Sequence, residues 1–199
     1  RPQLCEEALR LGRILSELAP NEPEVHGLVA LMEIQSSRLR ARTGPSGEPV
    51  LLLDQNRARW DQLLIRRGLA ALERAERLAV PRGGLGPYAL QGAIAACHAR
   101  ARLADETDWA RIAALYDALA QLAPSPVIAL SRAIALAERD GAERGLEALR
   151  AIDDSERLAA YPFYRAAFGE LELRRGDRAA AAKHFQAALA VARSEPERR

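Results

Sequence analysis

The sequence predicts an all-α fold, and three observations carry that expectation. Leu, Ala, Arg and Glu dominate the composition, and all four are good helix formers. Apolar residues recur at intervals of three and four, as in Leu11, Ile14, Leu15, Leu18 and again in Leu28, Leu31, Met32. That spacing draws the stripe a helix buries. Proline and glycine clusters cut the chain into segments of helix length with short joints between them.

The elements follow in order. Pro20 and Pro23 separate a first helix over about 3–19 from a second over about 23–42. Residues 43–49, TGPSGEP, hold two Gly and two Pro and form a loop. The run VLLLD at 50–54 reads either as a short extended segment or as the lead-in to a third helix near 57–79. Pro81, Gly83, Gly84 and Gly86 end that helix, and a fourth runs from about Pro87 to Leu103. Asp108 is placed to cap a fifth over about 109–122, because a carboxylate there accepts from free first-turn amides. Pro124 and Pro126 start a sixth, which Gly141 stops, and further helices are expected over about 142–151, 162–175 and 177–193.

Shifted by 36 residues, the C-terminal third overlays itself: Pro126 on Pro162, Ala133 on Gly169, Gly145 on Ala181, Leu149 on Phe185, Ile152 on Ala188. Proline suits a first helical turn. Small residues let paired helices approach closely, and the large apolar residue four further on fills the gap between hairpins. This is the logic of the tetratricopeptide repeat. Arg165 and Glu172 stand where that pattern has large aromatic residues, so the copy is divergent. Tyr116 to Pro124, and Ala8 to Pro20, repeat parts of the same spacing. The first helix then reads as the second half of a hairpin. The expected architecture is a single domain over 1–199, antiparallel hairpins stacked as a tetratricopeptide-like superhelix; an irregular helical bundle is the alternative.

With 49% apolar and 28% charged residues, 199 residues can bury a sizeable core. A net charge of +2 is far from the excess of a dedicated nucleic-acid binder. Two cysteines, Cys5 and Cys97, make no disulfide framework, which suits a cytoplasmic location, and no apolar run is long enough for a bilayer span. Beginning at Arg1 with Met32 as its one methionine, the chain reads as a piece of a longer protein.

Chemistry finds little support. Cys97 and His98 are adjacent and diverge on a helix, His26, His98 and His184 lie far apart, and no metal-ligand spacing exists. The run GGLGP (83–87) lacks the lysine and hydroxyl of a phosphate loop. No catalytic residue, metal or cofactor is expected.

Several segments together resemble one family: LLLDQNRARWDQLLI (51–65), GPYALQGAIAACHA (86–99), DETDWARIAALYDAL (105–119), SPVIALSRAIALAE (125–138) and EPERR (195–199). They are similar to the C-terminal tetratricopeptide-like extension of a group of extracytoplasmic-function RNA polymerase sigma factors, over essentially the whole chain. The resemblance implies a role in transcription initiation, with the amino-terminal sigma domains and RNA polymerase as partners. The promoter-binding domains are not in this sequence, so promoter DNA is expected to be met through them. Ser131 stands where that family usually has asparagine. A general peptide-binding adaptor is the alternative function.

The most unusual stretch is DQNRARWD, where Asp54, Gln55, Asn56, Arg57, Arg59 and Asp61 crowd around Trp60. It reads either as helix capping by Asp54 or Asn56 with Trp60 in the core, or as a polar platform for a partner segment. Tyr88, Gln91, Trp109, Ser131 and Arg132 are further candidates for a partner groove. Residues 38–82 hold ten arginines against five acids, a local excess open to an acidic protein face or to DNA, or simply a solvated helix face.

Overall fold

The computed structural model describes residues 2–193. The fold is all-α. Among the described residues it comprises nine α-helices: α1 (Pro2–Leu18), α2 (Pro23–Ser37), α3 (Gln62–Ala79), α4 (Pro87–Arg100), α5 (Trp109–Leu122), α6 (Pro126–Asp140), α7 (Ala142–Arg150), α8 (Pro162–Arg175) and α9 (Arg178–Val191). Their contacts divide the chain into two compact units, 1–108 and 109–199. The segment EPERR at 195–199 lies outside the described residues.

In the first unit α2 is the centre, flanked by α1, α3 and α4. A helix covered on several sides loses its polar face, and α2 buries Val29, Ala30, Glu33 and Ile34. Its neighbours come close because small residues line the crossings. A Cβ on Gly27 would stand 2.5 Å from the Ala89 backbone of α4, and one on Gly68 would stand 2.6 Å from Ile34 Cγ1. Glu24 in the first turn of α2 ties the crossing, since its carboxylate accepts from the Tyr88 and Ala89 amides that open α4 at 2.8 and 3.1 Å. Glu33, 1% exposed, is held by Arg13 of α1 at 2.8 Å. The rest of α1 is less engaged: Leu4, Leu11, Ile14, Leu15 and Leu18 are all exposed.

Helix α4 ends at Arg100 instead of about Leu103, and two boundaries differ more from the sequence expectation. Helix α2 ends at Ser37 instead of about 42, and a 3₁₀ turn over Leu39–Ala41 follows. Helix α3 begins at Gln62 instead of about 57, preceded by 3₁₀ turns at Leu52–Asp54 and Arg57–Arg59. The ambiguous VLLLD run is thus neither strand nor α-helix. Tertiary packing decides both cases. Ending α2 early lets Ala41 pack with Trp60 and Ile65, a contact a continuous helix would carry away.

The second unit is a succession of neighbours, α5 with α6, α6 with α7, α7 with α8, and α8 with α9. The 36-residue repeat has its physical counterpart here. Pro126 and Pro162 each open the first helix of a pair. The small positions sit at crossings: a Cβ on Gly145 would meet Ala137 Cβ at 2.4 Å, and one on Gly169 would meet the Phe185 ring at 2.8 Å. Leu146 and Leu149 have no exposed surface and pack with Leu130, Tyr164, Phe168 and Leu171. Glu172, the departure from the repeat pattern, is buried and neutralised by Arg175 at 2.7 Å and Arg150 at 3.4 Å. The link between pairs contains a 3₁₀ turn, Ser155–Leu158, that the sequence reading did not anticipate.

Candidate functional site

The segment 54–61 is built as a crossing between α2 and α3, and each polar residue has a definite place. Asn56 Oδ1 accepts from the Ala58 amide and caps the 3₁₀ turn at 57–59. The α3 cap is Asp61, whose Oδ1 accepts from Leu63 and Leu64 amides at 2.9 and 3.1 Å. Asp54, read as a possible cap, is exposed and caps no helix. Removing the true cap with Asp61→Ala is expected to cost about 1 kcal/mol, measured as a lower urea midpoint. Gln55 is buried, and its Nε2 donates to the Val50 carbonyl at 3.1 Å. Arg59 is exposed.

Trp60 is 3% exposed and packs with Ala41 and Ile65. Two guanidinium groups lie over its indole, Arg57 at 5.2 Å and Arg38 at 5.7 Å from the ring centroid. Arg57 reaches on to the end of α4, donating to the His98 and Ala101 carbonyls at 2.7 and 2.9 Å and to Thr107 Oγ1 at 3.0 Å. A cation suits a helix C-terminus, where carbonyls lack intrahelical partners. Arg38 and Arg42 instead share the side-chain oxygen of one neutral residue, Gln35. Among the described residues neither Arg38, Arg42 nor Arg57 has an ion pair. Burial, with Arg42 and Arg57 nearby, brings the Arg38 guanidinium down to about 10.

His98 on α4 feels the same field. Burial first, then Arg38 and Arg57, lower it to about 4 from an ordinary 6.5. The imidazole is therefore neutral in the fold, and below pH 6.5 the unfolded chain binds a proton the native state refuses. Its contribution is complete above pH 6.5 and lost as pH falls toward 4, on the order of 3 kcal/mol. Urea midpoints across that window should fall with acidity, and His98→Gln should flatten the slope.

The remaining sequence candidates are not gathered at Trp60. Tyr88 is exposed, and Gln91 donates to the Pro87 carbonyl. Both open α4, whereas Arg57 grips its far end, so Gln91 lies about 10 Å along the axis from His98. Trp109, Ser131 and Arg132 belong to the second unit. Ser131 hydrogen-bonds Tyr116, whose hydroxyl is raised by burial more than that bond lowers it. Arg132 pairs with Asp117 at 2.5 Å and lines an open groove of about 800 Å³ shared with Ala129, Arg144, Ala148, Ile152 and Arg157. The sequence reading passed over Gln35, Arg38 and Arg42 as site residues, and only the arginine excess of 38–82 pointed near them. No three His, Cys, Asp or Glu side chains converge as a metal would require among the described residues, and none of their helices is long and apolar enough to cross a membrane.

Residues 1–76 match a family described as being of unknown function (DUF6596). That match covers α1, α2, most of α3 and the whole Trp60 crossing. An uncharacterized protein of Rhizobium meliloti (strain 1021) is 43% identical over 194 residues, covering 98% of this chain and 44% of the relative. The chain thus spans less than half the length of the curated relative it matches. No solved structure matches.

Proposed function

We propose that the chain is the C-terminal, tetratricopeptide-like extension of an alternative, extracytoplasmic-function sigma factor, a non-catalytic cytoplasmic module acting in transcription initiation. Its helical pairs brace the amino-terminal sigma domains or contact RNA polymerase. The observation carrying this reading is the 36-residue repeat, seated on real helical pairs, within segments that resemble that extension. The relative, more than half of which lies outside the match, has room for further domains. The outward leucines of α1 offer such domains an apolar flank.

Deleting residues 1–199 from the full-length factor tests the reading. Promoter-specific transcription should be lost while the remaining sigma domains stay folded; unchanged transcription refutes it. The open groove beside Arg132 favours a second reading, a peptide-binding adaptor not tied to transcription. Pull-down of polymerase by the full-length protein separates the two.

A further inference from the structure

Ion pairing of arginine is uneven along the chain, and in the first unit Arg10, Arg13 and Arg82 each hold a carboxylate. In the second, Arg132, Arg139, Arg144, Arg150, Arg174 and Arg175 are all ion-paired. Between residues 38 and 67 of the first lie seven arginines and three acids, yet no ion pair joins any of these arginines to a described residue. Two of the seven, Arg38 and Arg57, flank the buried Trp60, and the Nε of each and the indole Nε1 are buried without an acceptor. Buried cations are normally paired, because desolvation is costly without a counter-charge. The charges of Glu106 and Asp105 reach Arg57, whereas among the described residues Arg38 feels only Arg42 and Arg57. A purely structural cluster would be served by glutamate at position 35, where the chain has neutral Gln35 between two guanidiniums.

We propose that this arginine-rich end of the first unit binds an acidic peptide segment, with Arg38 and Arg42 receiving its carboxylates beside Trp60. The proposal deepens the interaction role given above and rests on it. A groove of about 650 Å³ opens beside the cluster, with Leu9, Leu39 and Leu64 for apolar side chains and Arg40 and Arg42 for acidic ones. Glu6 and Asp61 also line it. Their charges disfavour a continuous phosphate backbone, whereas a peptide can space its carboxylates toward Arg40 and Arg42 and away from Glu6 and Asp61. The matching occupant alternates acidic and apolar residues.

The test uses the 199-residue chain carrying Trp109→Phe, which leaves Trp60 as its one indole. A short synthetic Glu/Leu peptide should shift Trp60 emission saturably, with affinity falling as salt rises. Arg38→Gln should raise Kd about tenfold or more. Gln35→Glu, which supplies the carboxylate from within, should raise Tm and weaken the peptide by a similar factor. Far-UV circular dichroism verifies each fold, and exposed Arg42→Gln replaces Arg38→Gln should the latter lose its native spectrum. Absence of binding, equal binding of a Gln/Leu peptide, or an unchanged Kd in Gln35→Glu overturns the proposal. Arg38-dependent binding of random duplex DNA in place of the acidic peptide overturns it in favour of a nucleic-acid surface. Peptide binding that persists while deletion of 1–199 spares transcription retires the sigma reading and keeps this site.

Discussion

Gly27→Ala is expected to destabilise the first unit by about 3 kcal/mol, the upper end of what overpacking costs. The new Cβ would stand 2.5 Å from both Cα and N of Ala89 and 2.8 Å from its Cβ. The obstacle is the backbone of α4, which no rotamer change can clear. Relief requires moving α4 off α2, and that stretches the bonds from the Glu24 carboxylate to the Tyr88 and Ala89 amides. Gly92, whose own Cβ would meet the Gly27 carbonyl at 3.1 Å, lies in the same crossing and would lose its packing too. For a unit of about this size the Tm should drop by on the order of 15 °C. Gly12→Ala, where the nearest atom is the flexible Met32 sulfur at 3.4 Å, is the control and should change Tm little. A Gly27→Ala protein melting like the wild type would show that the two helices are not held this closely.

Trp60→Ala should be of similar or greater size, about 3–5 kcal/mol, because a buried aromatic side chain is removed. Ala41 and Ile65 would face a cavity, and Arg38 and Arg57 would lose the ring beneath them. Trp60→Phe keeps most of the volume and an aromatic face, so it should recover the greater part of the loss. Urea unfolding followed by circular dichroism measures both. Equal midpoints for the alanine and phenylalanine variants would mean that the ring is not where the stability resides.

The all-α class and the 36-residue periodicity were legible because both rest on local signals. A proline at a first turn, a small residue at a crossing and a leucine in a gap are each written at one position. The crossing at 38–61 was not legible in the same way. Arg38 to Arg42 and Arg57 to Trp60 carry helix-compatible residues, and nothing nearby announces that they leave the α-helix. What removes them is the burial of Trp60 and the reach of Arg57 to carbonyls 41 and 44 residues later. The capping role assigned to the 54–61 run was correct in kind and shifted in place, from Asp54 to Asp61 for the helix, because Trp60 interrupts the turn that would have joined them. Tyr88 and Gln91 shared a polar character with the site but stand at the other end of α4, a distinction only the helix direction supplies.

The grip of Arg57 on the end of α4 makes two stretches of chain open and close as one. Freeing the last carbonyls of that helix means releasing the guanidinium, and with it the short turn from which it reaches. The amides at 59–60 and those closing α4 therefore belong to one cooperative unit and should share a single opening energy in native-state hydrogen exchange. A peptide held by Arg38 and Arg42 beside Trp60 would then slow exchange at a helix terminus it never touches.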